Sequence, residues 1–179
     1  MTDLIDSGSL SVTSSLRTGY RDLLEAPRSP TTSQVWKAMS KPERVRALWH
    51  LLADPLLSDA FRGPVLRGLH LAGGFRIQAL ERLSPLELAD RAAVKCSPAV
   101  LPVEAALREV HLRDRRPLLC AFLEALGLPH QNNGTVEAAN LPDADVTPSK
   151  VSEAVAVLAS CYSADDVALY LLTLLALAG

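Results

Sequence analysis

Glycine and arginine are concentrated in one short stretch, residues 62–76, and together they favour binding of an anion. Four of the nine glycines lie there, beside Arg62, Arg67 and Arg76. Guanidinium groups and the unpaired amides of helix starts both bind phosphate or carboxylate groups. Neither common glycine-rich phosphate loop, GxxxxGK[ST] or GxGxxG, is present. The stretch therefore predicts either an anion site or glycines that end short helices and let backbones approach closely.

The four histidines, at positions 50, 70, 111 and 130, are the residues best suited to acid/base or metal chemistry. His50 and Asp54 stand one helical turn apart. The apolar residues Val45, Leu48, Trp49 and Leu52 follow the helical period and predict a buried stripe, with His50 facing solvent on the opposite side. His111 lies at the edge of an apolar stripe. Two ligands are too few for a tetrahedral metal site. We therefore predict no metal and no cofactor, while convergence of the histidines in a pocket stays open.

Three cysteines, Cys96, Cys120 and Cys161, are odd in number and widely spaced, which excludes a disulfide framework and a zinc-binding CxxC pair. Cys120 lies one turn before Glu124, and Cys161 extends an apolar helical stripe, so we expect it in the core. No activating partner is apparent for any thiol. We therefore predict no catalytic residue and favour a non-enzyme, and the free thiols favour the reducing cytoplasm.

A short basic run, Arg113–Arg116, is the only candidate contact for nucleic acid. The chain as a whole has a net charge of −2, and aromatic residues, which stack on bases, make up only 4 % of it. Residues 127–179 are acidic, with Lys150 as the single lysine or arginine. These features argue against nucleic-acid binding.

The last helix is apolar around nearly its whole circumference, from Val167 to Ala178. Such a helix lies either in the centre of a core or half in the core and half in a partner. We predict Leu169, Leu172 and Leu175 as interface residues for the second case. The apolar run is shorter than the roughly twenty residues that span a bilayer, so no membrane insertion is expected.

The elements that position these residues are helical. Apolar residues recur at i, i+3, i+4 and i+7, and capping hydroxyls with a glutamate three residues later occur at Ser40 and Ser84. Thr147 and Ser163 mark two further helix starts, and Gly127 a helix end. The pattern predicts an all-α, irregular multi-helix bundle of about nine to eleven helices: 14–26, 33–39, 41–53, 56–62, 64–72, 75–83, 85–95, 99–113, 116–126, 148–161 and 164–178.

One stretch, residues 128–146, is not helical in pattern. Asn133-Gly134 is a strong hairpin signal, so we predict a small β-hairpin or an ordered surface loop. The predicted organisation is an N-terminal extension, 1–13, and a single helical domain, 14–179. Within that domain, 127–147 is a long connector and 148–179 a C-terminal helical pair.

The sequence thus shows clear structural signals and no catalytic set. We expect a non-enzymatic helical protein-interaction module that binds a protein partner or its own copy through the C-terminal helix. The alternative is a small-molecule binding protein or enzyme with a pocket for an anionic ligand near residues 62–76. Binding of that ligand and pairing of the helix are separable by experiment.

Overall fold

The computed structural model describes residues 30–136 and 146–177. Within these ranges 77 % of the residues are helical and there is no strand, which confirms the predicted all-α class. The described elements are α1 (Thr32–Ala38), α2 (Lys41–Ala53), α3 (Pro55–Gly73), α4 (Ile77–Leu80), α5 (Pro85–Lys95), a 3-10 turn (Pro98–Val100), α6 (Val103–Asp114), α7 (Arg116–Ala125), α8 (Pro148–Cys161) and α9 (Ala164–Leu177).

The chain divides into two compact units, with the boundary inside α6 after Val110. The first unit is Thr31–Val110, and the second contains the described residues from His111 to Leu177. A single helical domain over 14–179 stays a prediction. The predicted extension, 1–13, and the predicted helix at 14–26 lie outside the described residues.

In the first unit, α2 packs against α5 and α3, and α3 also packs against α4 and the 3-10 turn. The predicted apolar stripe of α2 included Trp49, but that indole is 40 % exposed, while Ala47, Leu48, Leu51 and Leu52 are buried. These four positions form an equally regular helical stripe, rotated from the predicted one. The helical period of the apolar residues therefore does not determine which of the two stripes is buried.

A proline stands inside α3, where two separate helices, 56–62 and 64–72, were predicted. Pro64 has no amide hydrogen, so it cannot bond the carbonyl one turn earlier. The residue before it is Gly63, which has no Cβ to collide with the proline ring in a helical conformation. The pair is therefore compatible with one continuous helix.

Two other glycines of this stretch act structurally. A Cβ on Gly68 would lie 3.3 Å from Cγ2 of Val100, so the glycine permits close approach of α3 and the 3-10 turn. Gly74 ends α3 in the left-handed region, with φ of 65°. Glycine adopts that conformation without the strain of a side chain.

Predicted helix caps are confirmed at Ser40 and Ser84. At each, the serine hydroxyl accepts the amide hydrogen of the glutamate three residues later, and that glutamate accepts the serine amide. The reciprocal bonds satisfy two amides that have no partner within the helix. They fix the starts of α2 and α5, the helices that pack together most extensively in this unit.

The second unit is built around the apolar faces of α7, α8 and α9, with Leu118, Phe122, Leu158 and Leu171 in one buried cluster. Gly127, with φ of 72°, ends α7, and the Leu128 amide reaches back to the Leu123 carbonyl. This is a Schellman-type ending. Residues 128–136 then form turns without a strand, in accord with the ordered-loop alternative, and the rest of the predicted loop, 137–145, lies outside the described residues.

Candidate functional site

The two sides of α9 differ in what they contact. Its inner side, Val167, Tyr170, Leu171 and Leu175, is buried in the apolar cluster of the second unit. The opposite side is only partly buried. We call it the outer face of α9, and it consists of Ala168, Leu169, Leu172 and Ala176.

Of the three leucines predicted at an interface, Leu169 and Leu172 lie on the outer face and Leu175 lies in the core. Leu175 is 1 % exposed, so its side chain already packs within its own unit. No charged residue occurs between Val167 and Leu177. The outer face is therefore an uncharged strip, and the interface itself stays a prediction.

A buried hydrogen bond joins α9 to the end of α6. The Nε2 atom of His111 lies 3.0 Å from Oγ1 of Thr173, and both residues are buried. The Thr173 hydroxyl donates its hydrogen to the Leu169 carbonyl, at 2.8 Å. Because a hydroxyl has only one hydrogen, it must accept from the imidazole, so His111 carries a hydrogen on Nε2.

The N-terminus of α9 is fixed by a second polar contact. Arg115 Nε donates to Asp166 Oδ1 at 3.0 Å. Ser163 donates its hydroxyl hydrogen to Asp166 Oδ2 at 2.7 Å and accepts the Asp166 amide hydrogen at 3.2 Å. The serine thus caps the helix, as predicted, and the aspartate lies beside the positive end of the helix dipole.

The charge of Asp166 is stabilised by these contacts. The Ser163 hydrogen bond is the largest cause that lowers the pKa of Asp166, and the hydrogen bond and positive charge of Arg115 and the charge of His111 lower it further. Burial opposes them by raising the pKa, but the net shift is downward. The aspartate is therefore held as an anion.

An aromatic cluster surrounds the same part of α9. The ring of Tyr170 meets the rings of His111 and Phe122 edge to face, with centroids 5.5 Å and 5.6 Å apart. Burial raises the pKa of the Tyr170 phenol above its usual range, and the nearby Cys120 adds to that rise. A neutral buried phenol packs with its neighbours and is poorly suited to proton transfer at neutral pH.

The predicted anion-binding arginines do not share one arrangement. Arg62 donates to the carbonyls of Glu81 and Leu83, at 2.9 Å and 3.1 Å, and so closes the turn between α4 and α5. Arg67 and Arg76 are exposed. Five residues separate Arg62 from Arg67 on α3, which places them about 140° apart around the helix. Anion binding at these arginines stays a prediction.

The histidines are distributed over both units. His50 was predicted to face solvent, but it is only 8 % exposed because the buried stripe of α2 is rotated toward it. In the same unit, His70 Nδ1 lies 2.8 Å from the Phe75 carbonyl oxygen. In the second unit, His130 accepts the Asn132 amide hydrogen on Nδ1, at 3.1 Å. Among the described residues no group of three or more His, Cys, Asp or Glu side chains could hold a metal ion.

The cysteines also differ from one another in exposure. Burial raises the pKa of the Cys96 thiol, which lowers its reactivity. Cys161, predicted in the core, is exposed at the C-terminal end of α8. The buried stripe of α8 ends at Leu158, one turn before Cys161.

The first unit has a shallow cleft of about 470 Å³. Phe61, Leu101 and Val103 supply apolar walls, and Glu104 and Arg108 lie at its edge. Those two charged residues pair with each other at 3.0 Å across one turn of α6. Thr32 and Ser33 add hydroxyl groups to the lining, and the volume lies in the range of small-molecule sites.

In comparisons with known proteins, no family model, no curated protein and no solved structure matches this chain. Within residues 30–136 and 146–177, none of the helices combines the length and the apolar character needed to cross a bilayer.

Sequence reasoning missed the polar contacts that fix α9. Ser163 was predicted as its cap, but the pairing of Asp166 with Arg115 joins residues 51 positions apart, and His111 and Thr173 are 62 positions apart. The available signal was Thr173, the one threonine in the apolar run from Val167 to Ala178, because a hydroxyl buried in a core requires a hydrogen-bond partner.

Proposed function

We propose that this chain is a non-enzymatic helical protein-interaction module that associates with a second copy of itself through the outer face of α9. The observation that supports the proposal is the uncharged outer face itself. Leu169 and Leu172 remain partly exposed there, although the inner side of the same helix is buried in the apolar cluster of its unit. Leaving leucine surface in water is unfavourable, by about 1.5 to 3 kcal/mol for a whole side chain.

A second copy is the partner that fits this face best. An uncharged strip offers no ion pair to a charged partner, whereas it is complementary to an identical apolar strip. Two-fold symmetry places the same residues on both sides of an interface. Ala168 and Ala176 are small residues at the two ends of the strip, and they leave space for the leucines of a facing helix.

The polar contacts of α9 support this role by fixing its orientation. Arg115 and Ser163 hold its first turn through Asp166, and His111 holds its third turn through Thr173. With both contacts made, α9 cannot rotate to bury Leu169 and Leu172 without breaking a buried hydrogen bond. The outer face is therefore presented in a fixed position.

The expected affinity is modest. A helix of 14 residues is about 21 Å long, so one of its faces buries less than the about 1,600 Å² of a standard interface. Interfaces of this smaller class form transient complexes. We therefore expect a dimer whose population depends on protein concentration in the micromolar range.

Substitution of the outer face tests the proposal. We expect the double variant Leu169→Glu/Leu172→Glu to sediment as a monomer at concentrations where the unmodified chain associates, because paired faces would then bury like charges. The matched control is Val157→Glu on α8, an apolar residue that is 49 % exposed, which should associate as the unmodified chain does. Circular dichroism checks that each variant keeps its helices.

If the glutamate variant loses its helical signal, Leu169→Ala/Leu172→Ala replaces it and should weaken association without adding charge. Association that survives both double variants, or that Val157→Glu abolishes equally, contradicts the proposed face.

A further inference from the structure

The loop after α7 contains a peptide bond whose two residues are arranged for an intramolecular reaction. Asn133 is exposed, and Gly134 follows it with φ of 79°. The loop is held against its own unit at both ends, since Leu128 is buried and Val136 packs on the apolar cluster. A Cβ on Gly134 would lie only 3.0 Å from Cδ2 of Leu119, so glycine is the residue that this backbone path accommodates.

The side chain of Asn133 is folded back over the following peptide. Its Oδ1 accepts the amide hydrogen of Thr135 at 2.9 Å. This Asx-type bond folds the side-chain amide of Asn133 back toward the main chain of the two residues that follow it. The same hydrogen bond polarises the carbonyl and stabilises negative charge that develops on its oxygen during nucleophilic attack.

The nucleophile for that attack is available. Within the described residues the Gly134 amide makes no hydrogen bond. No hydrogen bond there has to break before the amide loses its proton to water. Glycine also has no side chain to shield its nitrogen. The preceding asparagine, Asn132, differs on this point, because the residue that follows it is Asn133 and carries a side chain.

We propose that Asn133-Gly134 is a site of spontaneous covalent modification that the folded loop promotes. The Gly134 nitrogen loses its proton to water and bonds to Cγ of Asn133, the Cγ–Nδ2 bond breaks, and ammonia leaves. Water then adds to either carbonyl of the resulting five-membered imide. The product has aspartate or isoaspartate at position 133, and no oxidant or reductant takes part.

The product changes the loop in two ways. It carries one additional negative charge in a part of the chain that is already acidic. In the isoaspartate form the main chain passes through the side-chain carbon and is one atom longer. The Thr135 amide then loses its Asx acceptor, and the contact of Gly134 with Leu119 shifts.

The test compares the rate of modification at position 133 in the folded full-length chain with the rate in the same chain after denaturation. Aliquots are incubated at neutral and mildly alkaline pH, with and without denaturant, and the peptide that contains position 133 is followed by mass spectrometry. We expect replacement of the side-chain NH2 by OH at Asn133, with two products of equal mass, at least as fast in the folded chain as in the denatured one. Slower reaction in the folded chain overturns the proposal.

Variants locate the reaction. Asn133→Gln should suppress the change, because ring closure through a longer side chain is slower, and Asn132→Gln should leave it intact. Thr135→Pro removes the amide that donates to Oδ1 and should slow the folded reaction toward the denatured rate. An unchanged rate in Thr135→Pro, or equal modification of Asn133→Gln, contradicts the proposed geometry.

Discussion

The imidazole of His111 donates a hydrogen bond to the hydroxyl of Thr173, 3.0 Å away and 62 positions further along the chain. The hydroxyl in turn donates a hydrogen bond to the Leu169 carbonyl. The two hydrogen bonds therefore form a continuous chain from the end of α6 into α9. The contact is buried, and a buried donor that loses its acceptor is costly. It therefore fixes how α9 lies in its unit.

Thr173→Val tests that contact. Valine has nearly the same shape but no oxygen, so the Nε2 hydrogen of His111 would lose its acceptor. We expect the free energy of unfolding to fall by about 1 to 3 kcal/mol. The control Thr173→Ser keeps the hydroxyl and should lose less stability. Urea unfolding followed by circular dichroism measures both, and a Thr173→Val variant as stable as the unmodified chain would contradict the role of the hydrogen bond.

The lowered pKa of Asp166 predicts a pH dependence of stability. A carboxylate whose pKa is lower in the folded than in the unfolded chain adds stability that is complete above the unfolded pKa, about 3.9, and is lost as the pH falls through the folded pKa. At neutral pH we expect Asp166→Asn to reduce the free energy of unfolding by about 0.5 to 1 kcal/mol. The difference from the unmodified chain should shrink in acid.

Asp165→Asn serves as the control for that series, because it removes the same charge from the neighbouring exposed position. Its effect should be smaller, since the hydrogen bonds of Ser163 and Arg115 end on Asp166. Denaturant titrations over a range of pH values provide the comparison. A pH-independent difference for Asp166→Asn contradicts the assignment.

The proline inside α3 is expected to lower stability. Pro64→Ala restores the amide that can bond the carbonyl of Ala60 and should raise the free energy of unfolding by about 1 to 3 kcal/mol. Pro55, at the first turn of the same helix, is the matched control. Its missing amide has no partner in the helix, so Pro55→Ala should bring no gain. A larger gain at Pro55 than at Pro64 would refute this explanation.

Arg62 and Arg67 distinguish a structural role from the alternative of anion binding. Arg62→Gln removes the donors to the Glu81 and Leu83 carbonyls and should lower the melting temperature, while Arg67→Gln should leave it nearly unchanged. Thermal-shift assays with phosphate and small carboxylates measure both properties. A stabilising response to an anion that Arg67→Gln abolishes would favour the alternative of a ligand pocket near residues 62–76.

The helices could be predicted from local signals in the sequence, whereas the contacts that fix α9 could not. Caps at Ser40, Ser84 and Ser163 act within three residues, so a sequence reveals them directly. Predictions of burial were wrong where packing decides which residues are covered. Trp49 was expected to be buried and is exposed, while His50 was expected to be exposed and is buried. Two adjacent stripes of α2 have the same helical period, so the sequence pattern fits either one.

Long-range partners were the other limit. Nothing near Thr173 in the sequence indicates that His111 is its partner, and nothing near Asp166 indicates Arg115. Such pairs depend on how helices cross, which is set by side-chain packing rather than by spacing along the chain. The apolar character of α9 was evident from the sequence, but which of its leucines remain exposed required the fold.

The central claim is that two copies associate through the outer face of α9, and the molar mass in solution tests it most directly. Light scattering of the unmodified chain over a series of concentrations should show the mass rising from that of one chain toward that of two. The rise should be absent in Leu169→Glu/Leu172→Glu and present in Val157→Glu. A constant one-chain mass up to high micromolar concentration would contradict self-association.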